Sequence, residues 1–361
     1  MHYYINIVLL QYYRQTKVYK EVRTKNITKA TIKFLLPIIL GGMILYWMYR
    51  DFDFERIKNV MLYDMDWTWM ILSLPFGITA QLFRGIRWRQ TLEPVGEKPC
   101  LLTCVCSIFM SYAASLVIPR IGEFTRCGVL SKCDGVSFAK ALGTVVTERA
   151  IDTLLVMIIT GITLLAQMRI FNSFFLSTGT SLDSIFRSFS ATGYIVTAVC
   201  AVAIIILLHF LLKRLSFYNK VKATLSGIWQ GMVSLKDVND IPLFIILTLG
   251  IWVSYFLHYY LTFFCFEFTS GLGLMCGLAT FVVGSIAVIV PTPNGAGPWH
   301  FAVKTMLLLY GATAVGGKHI TADEALSFVL IVHTIQTMLV VVLGAAAWIV
   351  IGIKEKNYKS I

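Results

Sequence analysis

Nine apolar segments recur along this chain of 361 residues, and they constrain its fold more than any other feature. Hydrophobic residues make up 57% of the sequence and charged residues 14%, whereas about 25% of a soluble domain is charged. A helix needs roughly 20 apolar residues to cross the hydrocarbon core of a bilayer. The sequence therefore predicts an all-α polytopic membrane protein. The apolar segments lie at about 34–49, 68–83, 100–118, 146–168, 193–212, 242–266, 274–290, 298–310 and 327–352.

Breaks that contain proline and glycine indicate two re-entrant helical hairpins. The stretch 291–298 (PTPNGAGP) separates two short apolar segments without a charged loop. It suits an external turn between two spans, or the tip of a hairpin whose freed backbone groups line a cavity. The stretch 119–122 (PRIG) makes a similar break within 100–137.

The distribution of basic residues favours the topology with two hairpins, over 100–137 and 274–311, because Lys and Arg accumulate in cytoplasmic segments. This topology puts 19 Lys and Arg into cytoplasmic pieces and 6 into outer pieces. It predicts a multi-pass protein of the cell (inner) membrane with both termini in the cytoplasm. The same bias accounts for the net charge of +12, so no nucleic-acid partner is predicted. The cytoplasmic pieces are 1–33, 84–98, 213–240 and 353–361, and the outer pieces are 50–67, 169–192 and 311–326.

The order span, span, hairpin, span occurs twice and predicts two inverted repeats. The first membrane repeat covers 34–168 and the second covers 193–352, and they begin on opposite sides of the membrane. A basic cytoplasmic segment, 1–33, precedes them, and a cytoplasmic tail, 353–361, follows. Broken segments in oppositely oriented halves point to a transport site near the middle of the membrane.

Ionisable side chains in apolar surroundings mark the predicted substrate site, because such residues are costly in a membrane and usually serve function. Arg suits bidentate contacts with phosphate, acidic side chains hold those Arg residues or bind an amine or sugar, and backbone N–H groups at the tips bind anions. In the alternative interpretation, the charges neutralise one another and lock a hairpin to a helix. The candidate substrate-binding residues are Arg120, Glu123, Arg126, Glu148, Arg149, Asp152, Asn294, Gly295, Gly297, His300 and Lys304.

Other polar residues receive structural interpretations. Arg84 and Arg87, at the end of the second span, are predicted to be interfacial anchors whose long side chains reach the headgroups. The cysteines and histidines are not spaced as metal ligands, and no Walker A, G-x-S-x-G or H-E-x-x-H motif occurs. We therefore expect no metal, no cofactor and no catalytic site.

Four short motifs occur in order: RGIRW at 84–88, PRIGEFTR at 119–126, ERAID at 148–152 and PNGAG at 293–297. In this ordered set the chain resembles the lysylphosphatidylglycerol synthase transmembrane region family, a flippase-like membrane domain, over about 34–352. The resemblance implies an integral membrane protein with re-entrant helices that moves lipids between leaflets. The family is associated with aminoacylated phosphatidylglycerol, polyprenyl-linked sugars and other glycolipids. The resemblance also implies that the family's polar core corresponds to Arg120, Glu123, Arg126, Glu148, Arg149 and Asp152.

The sequence departs from the family's pattern in two places. Family members often carry Glu after the second glycine-rich tip, where this chain has Trp299 and His300. The soluble aminoacyl-transferase domain of the synthases does not follow the last span. We therefore expect no lysyl-lipid synthesis by this chain alone.

The predicted function is translocation of an anionic or phosphate-linked lipid or glycolipid between leaflets. One alternative is a membrane-embedded glycosyl- or lipid-transferase with Glu123, Glu148 or Asp152 as its catalytic carboxylate. Another is a non-catalytic partner of an enzyme that acts on envelope lipids. The predicted ligand is a membrane lipid with a phosphate or glycosylated headgroup, and a homo-oligomer or an envelope-biosynthesis enzyme are the protein partners left open.

Overall fold

The computed structural model describes residues 54–168, 170–171, 237–313 and 320–359, together with the single positions 226, 229 and 233. Every regular element in these residues is a helix. The all-α prediction is therefore confirmed. The predicted basic segment 1–33 and the predicted spans 34–49 and 193–212 lie outside the described residues.

The first half of the described chain contains two long helices and a pair of shorter ones. Helix α2 begins after Asp66, whose side chain accepts a hydrogen bond from the Thr68 N–H at 2.8 Å. A 3-10 turn follows it and ends at Gly96, and α4 ends at Gly135, both glycines having positive φ. The helices are α1 Phe54–Asn59, extended by a π-helical turn at Val60–Asp64, α2 Trp67–Leu92, α3 Leu101–Val117, α4 Gly122–Asp134 and α5 Phe138–Ala166.

The second half of the described chain also combines long and short helices. Asp240 caps its first long helix by accepting a hydrogen bond from the Leu243 N–H at 2.9 Å. The last helix continues through Lys359, so most of the predicted tail 353–361 is a helical extension of the last span. The helices are α6 Ile241–Tyr260, extended by a 3-10 turn at Leu261–Cys265, α7 Glu267–Ser270, α8 Gly273–Ala287, α9 Pro298–Thr313 and α10 Ala322–Lys359.

Three of the described helices are long and apolar enough to cross a membrane: α5, α6 with its 3-10 extension, and α10. Their outer faces carry large exposed apolar side chains, among them Leu154, Ile246 and Trp348. Exposed apolar surface on this scale has no counterpart in a soluble monomer, and it matches contact with lipid. These helices confirm a protein with membrane spans.

Each segment predicted to be a hairpin forms a pair of packed helices, whereas the re-entrant placement of these pairs in the membrane stays a prediction. Helices α3 and α4 form the first hairpin, which turns at 118–121. Helices α8 and α9 form the second, which turns through a 3-10 turn at Pro293–Gly295. The two tips meet, because Arg120 Nη2 donates a hydrogen bond to the Ile289 carbonyl at 2.8 Å. An inverted relation between the two halves stays a prediction.

The hairpins are held by a frame in which α2 packs along α6, and α10 packs along α3. Two glycines allow the first of these pairs to approach closely. A Cβ on Gly77 would lie 2.9 Å from His258 Nε2, and a Cβ on Gly250 would lie 2.9 Å from the Phe83 ring. The frame places the polar end of α2 beside the tip of the first hairpin.

Candidate functional site

A cavity of about 200 Å³ lies between the tips of the two hairpins. Its wall includes four arginines from the first half of the chain and uncharged residues from 288–295. Six of the candidate residues named from the sequence line it: Arg120, Glu123, Arg126, Arg149, Asn294 and Gly295. The tips of both hairpins therefore contribute to one polar site.

Glu148 and Asp152 lie behind the wall, one turn apart on α5, and hold the arginines in place. Glu148 Oε2 is 2.8 Å from Arg126 Nη1, and its other oxygen is 3.4 Å from Arg87 Nε. Asp152 bridges Arg84 Nη1 and Arg87 Nη2, each at 2.9 Å. Both carboxylates are buried. Every one of these pairs joins two helices, so the network fixes α2, α4 and α5 to one another.

Arg149 extends the network from the buried side to the cavity. Its Nη2 is 3.2 Å from Asp152 Oδ2, and its Nε is 3.7 Å from Glu123 Oε1. Both Arg149 and Glu123 are half-buried and line the cavity. With Arg120 at the tip, five guanidinium groups face three carboxylates. The site therefore carries a surplus of positive charge in a low-dielectric region, which favours an anionic ligand.

Arg126 lines this cavity and has a hydrogen-bond donor without a partner. Its side chain is 2% exposed, and its guanidinium carbon lies 4.5 Å from the centre of the Trp88 ring. Nη1 bonds Glu148, whereas Nη2 has no hydrogen-bond partner within the described residues. Buried donors in native proteins are normally paired, so an unpaired one in a cavity wall points to a ligand. The hydroxyl of Thr292, in the tip of the second hairpin, is also buried and has no hydrogen-bond partner within the described residues.

The interpretation of Arg84 and Arg87 as interfacial anchors is wrong. Both are almost fully buried and pair with Asp152, and Arg84 also lines the cavity. Its guanidinium lies over the rings of Tyr112 and Tyr255, at 6.0 Å and 5.7 Å, and the two hydroxyls bond each other at 3.0 Å. Carboxylates on α5 pair with these two arginines, in place of the lipid headgroups that an interfacial anchor would contact. These two arginines and the tyrosine pair belong to the site, and the sequence analysis did not include them.

The second tip presents a strained backbone to the cavity. Asn294 has a φ of 51° and Gly295 a φ of 71°, in the region that favours glycine. The side-chain amide of Asn294 donates a hydrogen bond to Thr337 Oγ1 at 2.6 Å. The backbone carbonyl of Asn294 accepts a hydrogen bond from His333 Nε2 at 3.1 Å. These bonds to α10 hold the strained turn in place.

Three candidate residues just beyond this tip do not line the charged cavity: Gly297, His300 and Lys304. The Gly297 N–H donates to His300 Nδ1 at 3.2 Å, so the imidazole caps the start of α9. The His300 ring is buried, 4.5 Å from the ring of His333. Lys304 lies one turn further on and is half-buried. Their part in substrate binding stays a prediction. Among the described residues, no group of His, Cys, Asp and Glu is arranged to hold a metal ion.

The comparison with protein families gives one match. The profile of the family described as "Lysylphosphatidylglycerol synthase TM region" matches residues 34–344, which include both hairpins and the charged network. The comparisons with curated proteins and with solved structures each found no match. Because the family match extends over most of the chain, the protein belongs to the lysylphosphatidylglycerol synthase TM region family.

Proposed function

We propose that the protein is a lipid translocase that moves an anionic, phosphate-bearing lipid between leaflets. One observation carries the proposal: five arginines face three carboxylates beside a cavity between the hairpin tips, and the buried Arg126 Nη2 is unpaired there. A phosphate oxygen is the acceptor that guanidinium groups bind best. A headgroup held between the tips, with its acyl chains in the surrounding lipid, would cross the membrane without leaving a polar environment.

Three of the four arginines that line the cavity, Arg120, Arg126 and Arg149, have different roles in the proposal. Arg126 is fixed by Glu148 and provides a preorganised donor, while Arg120 and Arg149 are more exposed and close on the phosphate as it enters. Arg120 releases the Ile289 carbonyl when the hairpins separate. Alternating access follows if one half of the molecule rocks against the other, with both termini on the cytoplasmic side.

The charged network supports transport better than group transfer. Glu148 and Asp152 are buried in ion pairs between helices and do not line the cavity, so neither carboxylate is placed to act on a ligand there. Glu123 is the carboxylate that reaches the cavity, and it too is paired, with Arg149. A transferase would convert a lipid when its donor is supplied, whereas the proposed translocase leaves lipid masses unchanged. A non-catalytic partner would neither move nor alter lipid.

The test is lipid movement in vesicles that contain the purified protein and a headgroup-labelled anionic phospholipid. Arg120→Ala and Glu123→Ala should each slow the movement, Arg120→Ala by about tenfold, since a hydrogen bond to a charged group contributes about 1.5–3 kcal/mol. Arg89→Ala is the matched control, because Arg89 pairs with Glu93 away from the cavity. Normal movement in well-folded Arg120→Ala and Glu123→Ala protein would contradict the proposal.

A further inference from the structure

A second cavity, of about 260 Å³, adjoins the charged one. The two cavities share Tyr112, Val288 and Asn294 in their walls, so they are neighbours. The second is lined by residues of α2, α3, α6 and α10 and of the start of α9. Pockets that hold a drug-sized ligand have volumes of roughly 300–1,000 Å³. The second cavity is smaller, so an occupant can be about the size of one ring.

The chemistry of the second cavity differs from that of the first. Its described wall contains no Arg, Lys, Asp or Glu, and its polar groups are amides, imidazoles and tyrosine hydroxyls. Trp299 adds a large aromatic surface. The apolar face of a sugar-like ring packs on aromatic surfaces of this kind, while its hydroxyl groups bond amides and imidazoles.

Gln81 provides a buried acceptor in this wall that the protein itself does not use. The side chain is 7% exposed, and Oε1 has no hydrogen-bond partner within the described residues. His258 adds a second acceptor: its Nδ1 lies 2.8 Å from the Ser73 carbonyl, which only accepts, so Nδ1 donates and a neutral ring leaves Nε2 as an acceptor. Two acceptors suit the O–H groups of a polyol.

These acceptors would also attract an ammonium group, but the surroundings oppose a cation. No carboxylate lines the second cavity in the described part of the chain, and the adjoining site already holds more arginines than acids. A buried cation without a counter-charge is costly, whereas an uncharged hydroxyl group needs only its hydrogen bond.

We propose that the second cavity is a subsite for an uncharged, hydroxyl-bearing ring joined to the phosphate, and that Gln81 is the residue that selects it. The inference rests on the proposed function, since the phosphate of the same headgroup occupies the arginine cavity. The residues shared by the two cavities, Tyr112, Val288 and Asn294, then lie where the ring joins the phosphate.

The test compares three short-chain phospholipids bound to the full-length protein in detergent, by titration calorimetry. Phosphatidylinositol carries a polyol ring on its phosphodiester, phosphatidylmethanol has the same phosphodiester without the ring, and phosphatidylethanolamine carries an ammonium group. The wild type should bind phosphatidylinositol about five- to tenfold more tightly than either of the others, as expected for one or two well-made hydrogen bonds.

The variants separate the two cavities. Gln81→Leu should remove the preference for phosphatidylinositol and leave phosphatidylmethanol binding unchanged. Gln90→Leu is the matched control, because Gln90 lies on the same helix with an unpaired buried oxygen but lines neither cavity. Arg120→Ala should weaken the binding of phosphatidylinositol and phosphatidylmethanol by the same factor.

Three results would overturn the subsite: no preference for phosphatidylinositol in the wild type, equal weakening of the two anionic lipids by Gln81→Leu, or tighter binding of phosphatidylethanolamine than of phosphatidylmethanol. Failure of the proposed function looks different. In that case phosphatidylmethanol would not bind at all, or Arg120→Ala would leave its binding unchanged.

Discussion

Glu148 is the most deeply buried acid of the charged network, with no exposed surface. It is paired with Arg126 and Arg87, which come from two other helices. Removing one side of a buried ion pair leaves the opposite charge without compensation and costs about 3–5 kcal/mol. The stability of the site therefore depends on this carboxylate more than on any contact at the cavity mouth.

We expect Glu148→Gln to lower the free energy of unfolding by about 3–5 kcal/mol, because two buried guanidinium groups lose a counter-charge. Chemical denaturation in mixed micelles measures the change. The matched control is Glu93→Gln, which removes a partly exposed pair with Arg89 and should cost less than about 1 kcal/mol. Equal effects of the two substitutions would show that burial does not determine how much the charged network contributes to the free energy of unfolding.

At the scale of single residues, the candidate acids and the arginines of the first hairpin could be named from the sequence. Their spacing along two short motifs, in apolar surroundings, was sufficient to select them as candidates. It did not identify Arg84 and Arg87, since two basic residues near the end of a span also suit contact with headgroups. Their partner Asp152 lies 68 and 65 residues further along the chain, and local spacing carries no signal for a contact over that separation.

The first hairpin closes because the start of α4 presses against α3. A Cβ at Gly122 would overlap the carbonyl oxygen of Ser111 and lie 2.5 Å from Ser115 Oγ. The Gly122 N–H also donates to Ser115 Oγ at 3.2 Å. A larger residue at this position would force the two helices apart at the tip that carries Arg120.

Gly122→Ala should therefore destabilise the protein by about 1–3 kcal/mol, the usual cost of overpacking. Gly128→Ala, on the same helix, meets nothing within 4 Å and should instead stabilise it slightly, by up to about 1 kcal/mol through helix propensity. Thermal unfolding of the two purified variants gives the comparison. A loss of stability in both variants would mean that α4 does not tolerate Ala for reasons unrelated to the hairpin contact.

The hairpins were predictable from their proline- and glycine-containing tips, but two helix boundaries were not. The second span was predicted over 68–83, whereas α2 continues to Leu92. The fourth was predicted from 146, whereas α5 begins at Phe138. Hydropathy falls at both places because charged and hydroxyl-bearing residues appear. Several of those side chains are buried and form hydrogen bonds or ion pairs between helices, such as the hydrogen bond from Trp88 Nε1 to Thr144 Oγ1 at 3.0 Å, so the helices continue through them.

On the scale of the whole molecule, Asp134 ties the base of the first hairpin to the last helix. Its carboxylate accepts hydrogen bonds from the Cys100 N–H, from Thr103 Oγ1 and from Lys354 Nζ. Lys354 also donates to Thr103 at 2.6 Å. Residues more than 200 positions apart in sequence are thereby joined at the end of the hairpin opposite its tip.

We expect Asp134→Ala to lower the free energy of unfolding by about 1.5–3 kcal/mol, since several hydrogen bonds to one charged group are lost. Lys354→Ala and the double variant complete a double-mutant cycle. The effects should be clearly non-additive, because the two residues share one contact. Simple additivity would indicate that α10 is held to the hairpin by apolar packing alone.

The contact between the hairpin tips gives a prediction about movement. Cysteines introduced by Arg120→Cys and Ile289→Cys should be joined by a short, reducible thiol-reactive crosslinker, because the side chain of the one residue bonds the backbone of the other. Once crosslinked, the protein should lose most lipid movement and recover it on reduction, to the level of the uncrosslinked double variant. Variants that carry only one of the two introduced cysteines are the controls, because they retain the eight native cysteines of the chain. Full movement with the tips joined would contradict separation of the hairpins.

The burial of Arg84 and Arg87 has a consequence for how the chain is made. While α2 is newly synthesised, its carboxylate partners on α5 do not yet exist, and the two long side chains can reach the headgroups. In the proposed orientation they then act as positive-inside charges that orient α2. Once α5 has been added, Glu148 and Asp152 replace the headgroups as partners. In that orientation, the same two guanidinium groups would direct the topology of the nascent chain and afterwards become part of the charged network in the finished protein.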